Sequence, residues 1–134
     1  ARGFAERMGD MKNEDFRVII ESPYKGFDLI DNLDYARRCM WHSLLQGESP
    51  FVSHLLYTQV LDDTVPDQRE MGMTLARNWY EVADLCAVYT DRGISWGMEQ
   101  GIEYANSIGL QVEERSLIND GENSTGKSYK AGWR

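Results

Sequence analysis

Cysteine and histidine are scarce in this sequence, and the shortage excludes two classes of protein. Only two cysteines and two histidines occur among 134 residues. Cys39 is expected in a helix and Cys86 in an apolar strand, where both would pack as small apolar side chains rather than build a disulfide framework. The two histidines, His42 and His54, are too few and too scattered for a zinc site. We therefore expect neither a bound metal nor a cofactor.

Positive charge and long apolar runs are also in short supply. Fourteen lysines and arginines stand against 22 acidic residues, which gives a formal net charge of −8 and a pI near 4.7. An acidic chain without a basic cluster repels a phosphate backbone, so double-stranded nucleic acid is not an expected partner. No stretch approaches the roughly 20 apolar residues of a membrane span, and no signal-peptide core stands near residue 1. We expect a cytoplasmic protein without a membrane partner.

The pattern of apolar residues predicts one α/β domain between two polar segments. Residues 1–14 are expected to be a flexible lead-in, residues 15–118 the folded domain, and residues 119–134 a polar tail. Strands are predicted at 16–21, 50–53, 85–89 and 110–114, and helices at 31–46, 66–82 and 97–108. The stretch 55–65 predicts an irregular loop or a short helix. This alternation indicates a flavodoxin- or Rossmann-like fold with a four- or five-stranded parallel sheet and helices on both faces.

Polar residues follow three of the predicted strands. These clusters are residues 22–26, the pair Ser53 and His54, and residues 91–99. Because ligands of parallel sheets bind beyond the carboxyl ends of the strands, we expect the three clusters to meet at one edge and form a binding site. The third cluster is a turn rich in glycine that opens a helix, where free backbone N–H groups can hold an anion or sugar oxygens.

Together the clusters resemble the nucleoside 2-deoxyribosyltransferase superfamily, in particular its small uncharacterised bacterial and phage members. The resemblance covers about residues 16–117. It rests on four phrases: Ile20-Glu-Ser-Pro-Tyr-Lys-Gly26, Gly47-Glu-Ser-Pro-Phe-Val-Ser-His-Leu-Leu-Tyr57, Ala83-Asp-Leu-Cys-Ala-Val-Tyr-Thr-Asp91 and Asp91-Arg-Gly-Ile-Ser-Trp-Gly-Met-Glu99. It implies a flavodoxin-like sheet and an enzyme that cleaves or exchanges the N-glycosidic bond of a deoxynucleoside or a nucleoside 5′-monophosphate. It also implies a homo-oligomer, because superfamily members form dimers or larger assemblies.

The resemblance also assigns roles to single residues. Glu99 matches the catalytic glutamate, which attacks C1′ of the sugar as a nucleophile. Ser95 and Gly97 match the turn that holds the 5′-phosphate in the monophosphate-specific branch. Ser22 and Gly26 match the loop after the first strand, which lines the same pocket.

The neighbours of these motif residues complete the predicted site. Asp91 is expected to position Glu99 or the sugar, Tyr24 to stack on the ligand, and His54 to face the pocket; Gly93 and Met98 belong to the same turn as Glu99. Each assignment has a plainer interpretation. Glu99 also suits the first turn of any helix, Asp91 also suits a turn cap, and a lone histidine is often a structural hydrogen-bonding group. Arg69 and Glu70 are expected to be a surface or intersubunit pair.

One acidic residue of the family pattern is missing, and its absence leaves the activity open. Family enzymes carry an aspartate on the helix before the third strand, where this chain reads Thr74-Leu-Ala-Arg-Asn78. Asp91 could substitute for it, and Asp62, Asp63 and Asp67 lie in or beside a loop of unknown course. One alternative is therefore a non-catalytic protein that senses or sequesters a nucleotide or an ADP-ribose derivative. Another is an interaction protein that docks through its acidic surface and tail.

Overall fold

The computed structural model describes residues 16–25 and 28–118, which form four strands and three α-helices. In chain order the elements are β1 (Arg17–Glu21), α1 (Leu29–Leu45), β2 (Ser49–Phe51), α2 (Pro66–Tyr80), β3 (Leu85–Tyr89), α3 (Trp96–Ser107) and β4 (Val112–Arg115). Two short 3₁₀ turns, Ser53–Leu55 and Tyr57–Gln59, lie between β2 and α2. Each predicted strand and helix is present, with ends that differ from the prediction by a few residues.

The four strands form one parallel sheet in the order β2-β1-β3-β4. Ile19 of β1 lies opposite Phe51 of β2 on one side and Cys86 of β3 on the other. The chain passes from β1 outward to β2 and then returns to β3 on the far side of β1, so the direction of connection switches between β1 and β3. In sheets of this kind, ligands bind beyond the carboxyl ends of the strands at that switch. The predicted α/β fold is confirmed.

Helix α1 covers one face of the sheet. It begins at the capping residue Asp28, whose side chain accepts a hydrogen bond from the Asp31 N–H at 3.1 Å. It ends before Gly47, which follows the helix with a φ of 82° that glycine adopts without steric cost. Its inner side packs into a buried cluster with residues of β1 and β3 and of the segments after β2 and β4: Val18, Ile20, Tyr35, Ala36, Cys39, Val52, Leu85, Ala87, Tyr89 and Leu117.

Helices α2 and α3 cover the opposite face. Pro66 opens α2 at a position where its missing N–H costs no hydrogen bond. Ser95 caps α3, and its Oγ accepts a hydrogen bond from the Met98 N–H at 3.2 Å. The buried residues of this face are Ile19, Tyr80, Cys86, Val88, Met98 and Ala105. Because α3 follows β3 directly, its N-terminus lies at the carboxyl edge of the sheet.

Several sequence expectations can be placed on this fold. Cys39 and Cys86 are both buried and free, as predicted, and they lie on opposite faces of the sheet. The lead-in 1–14, Gly26 and the tail 119–134 lie outside the described residues. Within 16–25 and 28–118, every helix is too short or too polar to cross a membrane.

Candidate functional site

A cavity of about 420 Å³ opens at the carboxyl edge of the sheet, on the face covered by α2 and α3. Its wall comes from four places: the end of β1 and the residues after it, the 3₁₀ segments after β2, the inner side of α2, and the first turns of α3. The cavity therefore lies beside the switch between β1 and β3. Its volume falls in the range of small-molecule sites.

Glu21, the last residue of β1, contributes a buried carboxyl group to this cavity. The residue is 5% exposed, and the Tyr80 hydroxyl donates a hydrogen bond to its Oε2. Burial raises the pKa of Glu21 to about 8, against a smaller lowering by the Tyr80 hydrogen bond. At neutral pH most molecules therefore carry a protonated Glu21, which can donate a hydrogen bond or a proton.

Gly101 on α3 leaves the space in which this carboxyl lies. A Cβ atom at position 101 would lie 2.6 Å from Cδ of Glu21 and 2.8 Å from the Tyr80 hydroxyl oxygen. Both distances are shorter than ordinary van der Waals contact. One close-packed group thus combines Glu21 from β1, Tyr80 from α2 and Gly101 from α3.

Tyr24 and His54 form an aromatic pair on the wall of the cavity. Their ring centroids are 5.2 Å apart and their planes differ by 20°, so the rings are stacked. His54 Nε2 donates a hydrogen bond to the Ser22 carbonyl oxygen at 2.8 Å. Burial lowers the pKa of His54, which keeps the ring neutral at neutral pH. The two polar segments after β1 and β2 are therefore joined directly, as the sequence predicts for segments that follow adjacent strands.

Two further aromatic side chains line the cavity on either side of α2. Tyr57 accepts a hydrogen bond from the Trp79 indole N–H at 2.8 Å and packs edge-on against Phe51. Trp96, the first residue of α3, is 58% exposed, and the Arg69 guanidinium lies 5.6 Å from the centre of its ring. The cavity therefore offers flat rings on which a planar ligand could stack.

Basic side chains outnumber carboxylates around the cavity, although the chain as a whole is acidic. The basic side chains in the wall are Lys25, Arg69 and Arg77, and the carboxyl side chains are Asp63 and Glu21. Lys25 lies 3.5 Å from Asp63, and Glu21 carries its proton at neutral pH. The remaining positive charge, together with the N-terminus of α3, favours an anionic ligand.

The structure brings together about half of the predicted site residues. Those that line the cavity are Tyr24, His54, Ser95, Gly97 and Met98. Ser22 is fully buried and reaches the cavity only through its carbonyl bond to His54. Of the three acidic residues considered as substitutes in the loop, Asp63 lines the cavity.

Glu99, Asp91 and Gly93 lie outside the cavity wall. Glu99 follows the lining residue Met98 on α3, but it is exposed to solvent. Gly93 is exposed in the turn before α3, where its φ of 82° accounts for the glycine. Glu99 lies outside the wall because neighbouring residues of a helix point in different directions, and Gln100 and Gly101 line the cavity instead.

Asp91 holds the segments after β3 and β4 together. Its carboxylate accepts hydrogen bonds from the Tyr35 hydroxyl at 2.7 Å, the Leu117 N–H at 2.9 Å, the Ile118 N–H at 3.3 Å and the Ser116 hydroxyl. Burial acts to raise its pKa, but these donors together hold the pKa below the ordinary value. These donors come from α1 and from the segment after β4, so Asp91 links segments that are distant along the chain.

The sequence pattern does not single out Glu21, Arg69, Arg77 or Gly101. Arg69, which the sequence predicts as part of a surface or intersubunit pair, lines the cavity with Arg77, which lies eight residues, about two turns, further along α2. Two signals were available: an acidic residue that ends an apolar strand, and a glycine inside a helix. Neither signal shows that Glu21 and Gly101 lie next to each other in the folded protein.

The fold and this cavity define a small parallel α/β protein with a cavity at the switch point of its sheet. No group of three or more histidine, cysteine or acidic residues that could hold a metal ion occurs within the described part of the chain. The chain belongs to the family described as Domain of unknown function (DUF7768), whose model matches residues 16–115. Searches among curated proteins and among solved structures gave no match.

Proposed function

We propose that the cavity binds a nucleoside or a nucleoside 5′-monophosphate and that the protein cleaves or exchanges its N-glycosidic bond. The observation that carries this proposal is Glu21, a buried carboxyl in a cavity with aromatic and basic walls, whose pKa burial raises to about 8. The resemblance of the polar clusters to the deoxyribosyltransferase superfamily supports the reaction class.

A protonated carboxyl suits the departure of the base. Cleavage of the bond passes through an oxocarbenium-like sugar, and a base leaves more readily when it receives a proton as the C1′–N bond breaks. In the proposed step Glu21 gives its proton to the base, the bonding electron pair stays with the base, and water or an acceptor base adds to C1′. The proton released by that addition returns to the Glu21 carboxylate.

In this proposal Glu21, as a general acid, takes the place of Glu99 as the protein side chain that acts in the reaction. The resemblance assigns Glu99 as a nucleophile, which must be ionised and in contact with C1′. Glu99 is exposed and outside the cavity wall, whereas Glu21 is buried within it. The reaction class is unchanged, but Glu21 acts as a general acid and the nucleophile comes from solvent or from a second substrate.

Other side chains in the cavity wall would recognise the base and the phosphate of the ligand. The stacked Tyr24 and His54 rings and the exposed Trp96 ring supply faces for a planar base. Arg69, Arg77 and the capped N-terminus of α3 supply donors for a phosphate group. An acidic protein would otherwise repel such a ligand, so the local basic wall is what makes binding favourable.

The test is a thermal-shift screen of nucleosides, nucleoside 5′-monophosphates and ADP-ribose derivatives, followed by chromatography of each stabilising ligand. We expect free base to appear with the wild type, and Glu21→Gln to lower its rate by about 100-fold or more. Glu103→Gln is the matched control, because Glu103 is an exposed acid on α3 outside the cavity wall. Loss of activity in Glu99→Gln with full activity in Glu21→Gln would restore the original assignment and reject ours.

A second candidate function is binding without chemistry. It is favoured by the positions of Glu99 and Asp91, because the nucleophile that the resemblance assigns and the acid expected to assist it are both absent from the cavity wall. A sensor or sequestering protein would show a ligand-dependent rise in Tm and would release that ligand unchanged. Recovery of intact ligand after prolonged incubation supports this candidate, and detection of free base rejects it.

A further inference from the structure

Three elements enclose the Glu21 carboxyl, and each contributes differently. Glu21 itself ends β1, Tyr80 ends α2 and donates its hydroxyl hydrogen to Glu21, and Gly101 lies inside α3 with no side chain. Across 16–25 and 28–118, Tyr80 is the one side chain that makes a hydrogen bond to this carboxyl. The carboxyl therefore keeps hydrogen-bonding capacity for a ligand in the cavity that it lines.

Space, rather than backbone conformation, explains the glycine at position 101. The described glycines with a positive φ are Gly47, Gly93 and Gly109, so Gly101 has an ordinary helical backbone. Glycine inside a helix is destabilising, because it loses more freedom on folding than other residues. A Cβ at this position would instead overlap Glu21, at 2.6 Å from its Cδ. Helix α3 thus has no side chain at position 101, in the space that the Glu21 side chain of β1 occupies.

We propose that Tyr80 and Gly101 are positioning residues for the Glu21 carboxyl. The carboxyl acts because it lies between these two residues, and its attachment to β1 is not itself required. The inference rests on the proposed function, since it concerns the carboxyl assigned there as the acid. It follows that an acid attached to α3 at position 101 can replace Glu21 once the Glu21 side chain is removed.

Aspartate is the acid that fits this exchange. The Glu21 carboxyl carbon lies 2.6 Å from the Cβ position of residue 101, which is about the separation of two bonded steps. The carboxyl oxygens of an aspartate lie two bonds from its Cβ, so they reach the volume of the Glu21 carboxyl. A glutamate would carry its carboxyl oxygens beyond that volume. The Tyr80 hydroxyl oxygen lies 2.8 Å from that Cβ position, so the tyrosine must move away from it to donate to the new carboxyl.

Tyr80 also contributes to the proton affinity of the carboxyl. The groups next to Glu21 are the Tyr80 hydroxyl from α2, the Cys86 thiol from β3 and Gly101 from α3. The uncharged Gln100 lines the same cavity, and Arg77 acts on Tyr80 from the same helix. The hydrogen bond from Tyr80 lowers the pKa of Glu21 against the larger effect of burial. Tyr80→Phe keeps the ring and removes that donor, so it should raise the pKa of Glu21 further.

The experiment compares Glu21→Ala, Gly101→Asp and the double variant in base release and in Tm. We expect Glu21→Ala to lose about 100-fold or more in base release, and the double variant to recover at least a tenth of the wild-type rate. Gly101→Asp alone should have a lower Tm than the double variant, because two carboxyls would then compete for one space. The matched control is Glu21→Ala with Gly97→Asp, because Gly97 lines the same cavity but has no neighbour closer than 3.9 Å to a built Cβ. It should not recover activity.

Two readouts separate failure of this inference from failure of the proposed function. Tm and an NMR titration of the Glu21 side-chain carboxyl need no substrate, and the Tyr80→Phe variant should move the titration midpoint to higher pH. If base release is absent from every variant but the Tm coupling and the shifted midpoint are found, the positioning stands and the reaction is wrong. Equal Tm effects of Gly101→Asp with and without the Glu21 side chain, or an unmoved midpoint in Tyr80→Phe, would overturn the positioning.

Discussion

Glu21 and Asp91 are carboxylic acids at the carboxyl ends of neighbouring strands, and their surroundings shift their pKa values in opposite directions. Glu21 ends β1, faces the cavity and receives a hydrogen bond from Tyr80. Asp91 follows β3 and receives hydrogen bonds from two hydroxyl groups and two backbone N–H groups on the other side of the sheet. Burial dominates at Glu21 and raises its pKa to about 8, whereas the donors dominate at Asp91 and lower its pKa.

The comparison shows that position at the edge of a parallel sheet does not make an acid functional. Asp91 has used its acceptor capacity within the protein, so its charge stabilises the fold. Glu21 lies in a low-dielectric site with few donors, and such a site favours the protonated form. Buried acids that keep their protons at neutral pH are common in active sites. The number of donors around each carboxyl thus separates a structural acid from a candidate catalytic one.

The largest expected effect is on the pH dependence of stability. Folded Glu21 keeps its proton up to about pH 8, while the unfolded chain loses it near the ordinary value of 4.5. The contribution of Glu21 to stability is therefore lost as pH rises through this window. Relative to wild type, Glu21→Gln should gain about 2–5 kcal/mol between pH 4.5 and pH 8, measured by urea unfolding. Parallel curves for the two proteins would contradict the raised pKa.

Asp91→Ala should destabilise the fold by about 3 kcal/mol, because it leaves several donors without their acceptor. Urea unfolding at pH 7 measures this loss. Glu103→Ala on the surface of α3 is the control and should stay within about 0.5 kcal/mol of wild type. Ligand-induced shifts in Tm should persist in folded Asp91→Ala, since Asp91 does not line the cavity. Abolished binding in a folded variant would show that the two acids belong to one site.

Removal of a cavity guanidinium should weaken the binding of anionic ligands. Arg77→Gln is expected to raise the Kd of a phosphorylated ligand about tenfold and to leave that of the matching nucleoside nearly unchanged. The difference should shrink at high salt, because screening weakens the attraction. Arg37→Gln provides the control, since Arg37 lies on α1 at the opposite face. Isothermal titration of both ligands at two salt concentrations measures the effect; an equal loss for both would reject an anion-specific role.

Tyr35→Phe should cost about 1 kcal/mol, the smallest effect in this series. The Tyr35 hydroxyl donates to Asp91 Oδ2 at 2.7 Å and accepts from the Asp91 N–H at 3.1 Å. Loss of this donor raises the pKa of Asp91, so acid unfolding should begin at higher pH than in wild type. Circular dichroism across an acid titration tests the shift. An unchanged acid midpoint would mean that Ser116 and the backbone donors alone hold Asp91 ionised.

The fold was more predictable from sequence than the site. Apolar runs and helical spacing are local patterns, so they located β3 at Leu85–Tyr89 and the start of α2 at Pro66. The polar clusters predicted that the segments after the strands meet at one edge of the sheet, and Tyr24, His54 and Ser95 lie together in the cavity wall at that edge. Nothing nearby in sequence marks Glu21 as part of the same wall. Its partners Tyr80 and Gly101 lie 59 and 80 positions away along the chain.

The sequence by itself determined the alternating elements, the parallel sheet and the edge at which polar residues gather, because these follow from residue periodicity and from turn-forming residues. Only the tertiary structure decided which acid enters the cavity. The direction of a side chain changes by about 100° with each helical residue, and the proton affinity of a carboxyl depends on donors that distant segments bring to it. For that reason Glu99 lies in solvent, Asp91 binds the fold together, and Glu21 holds its proton in the cavity.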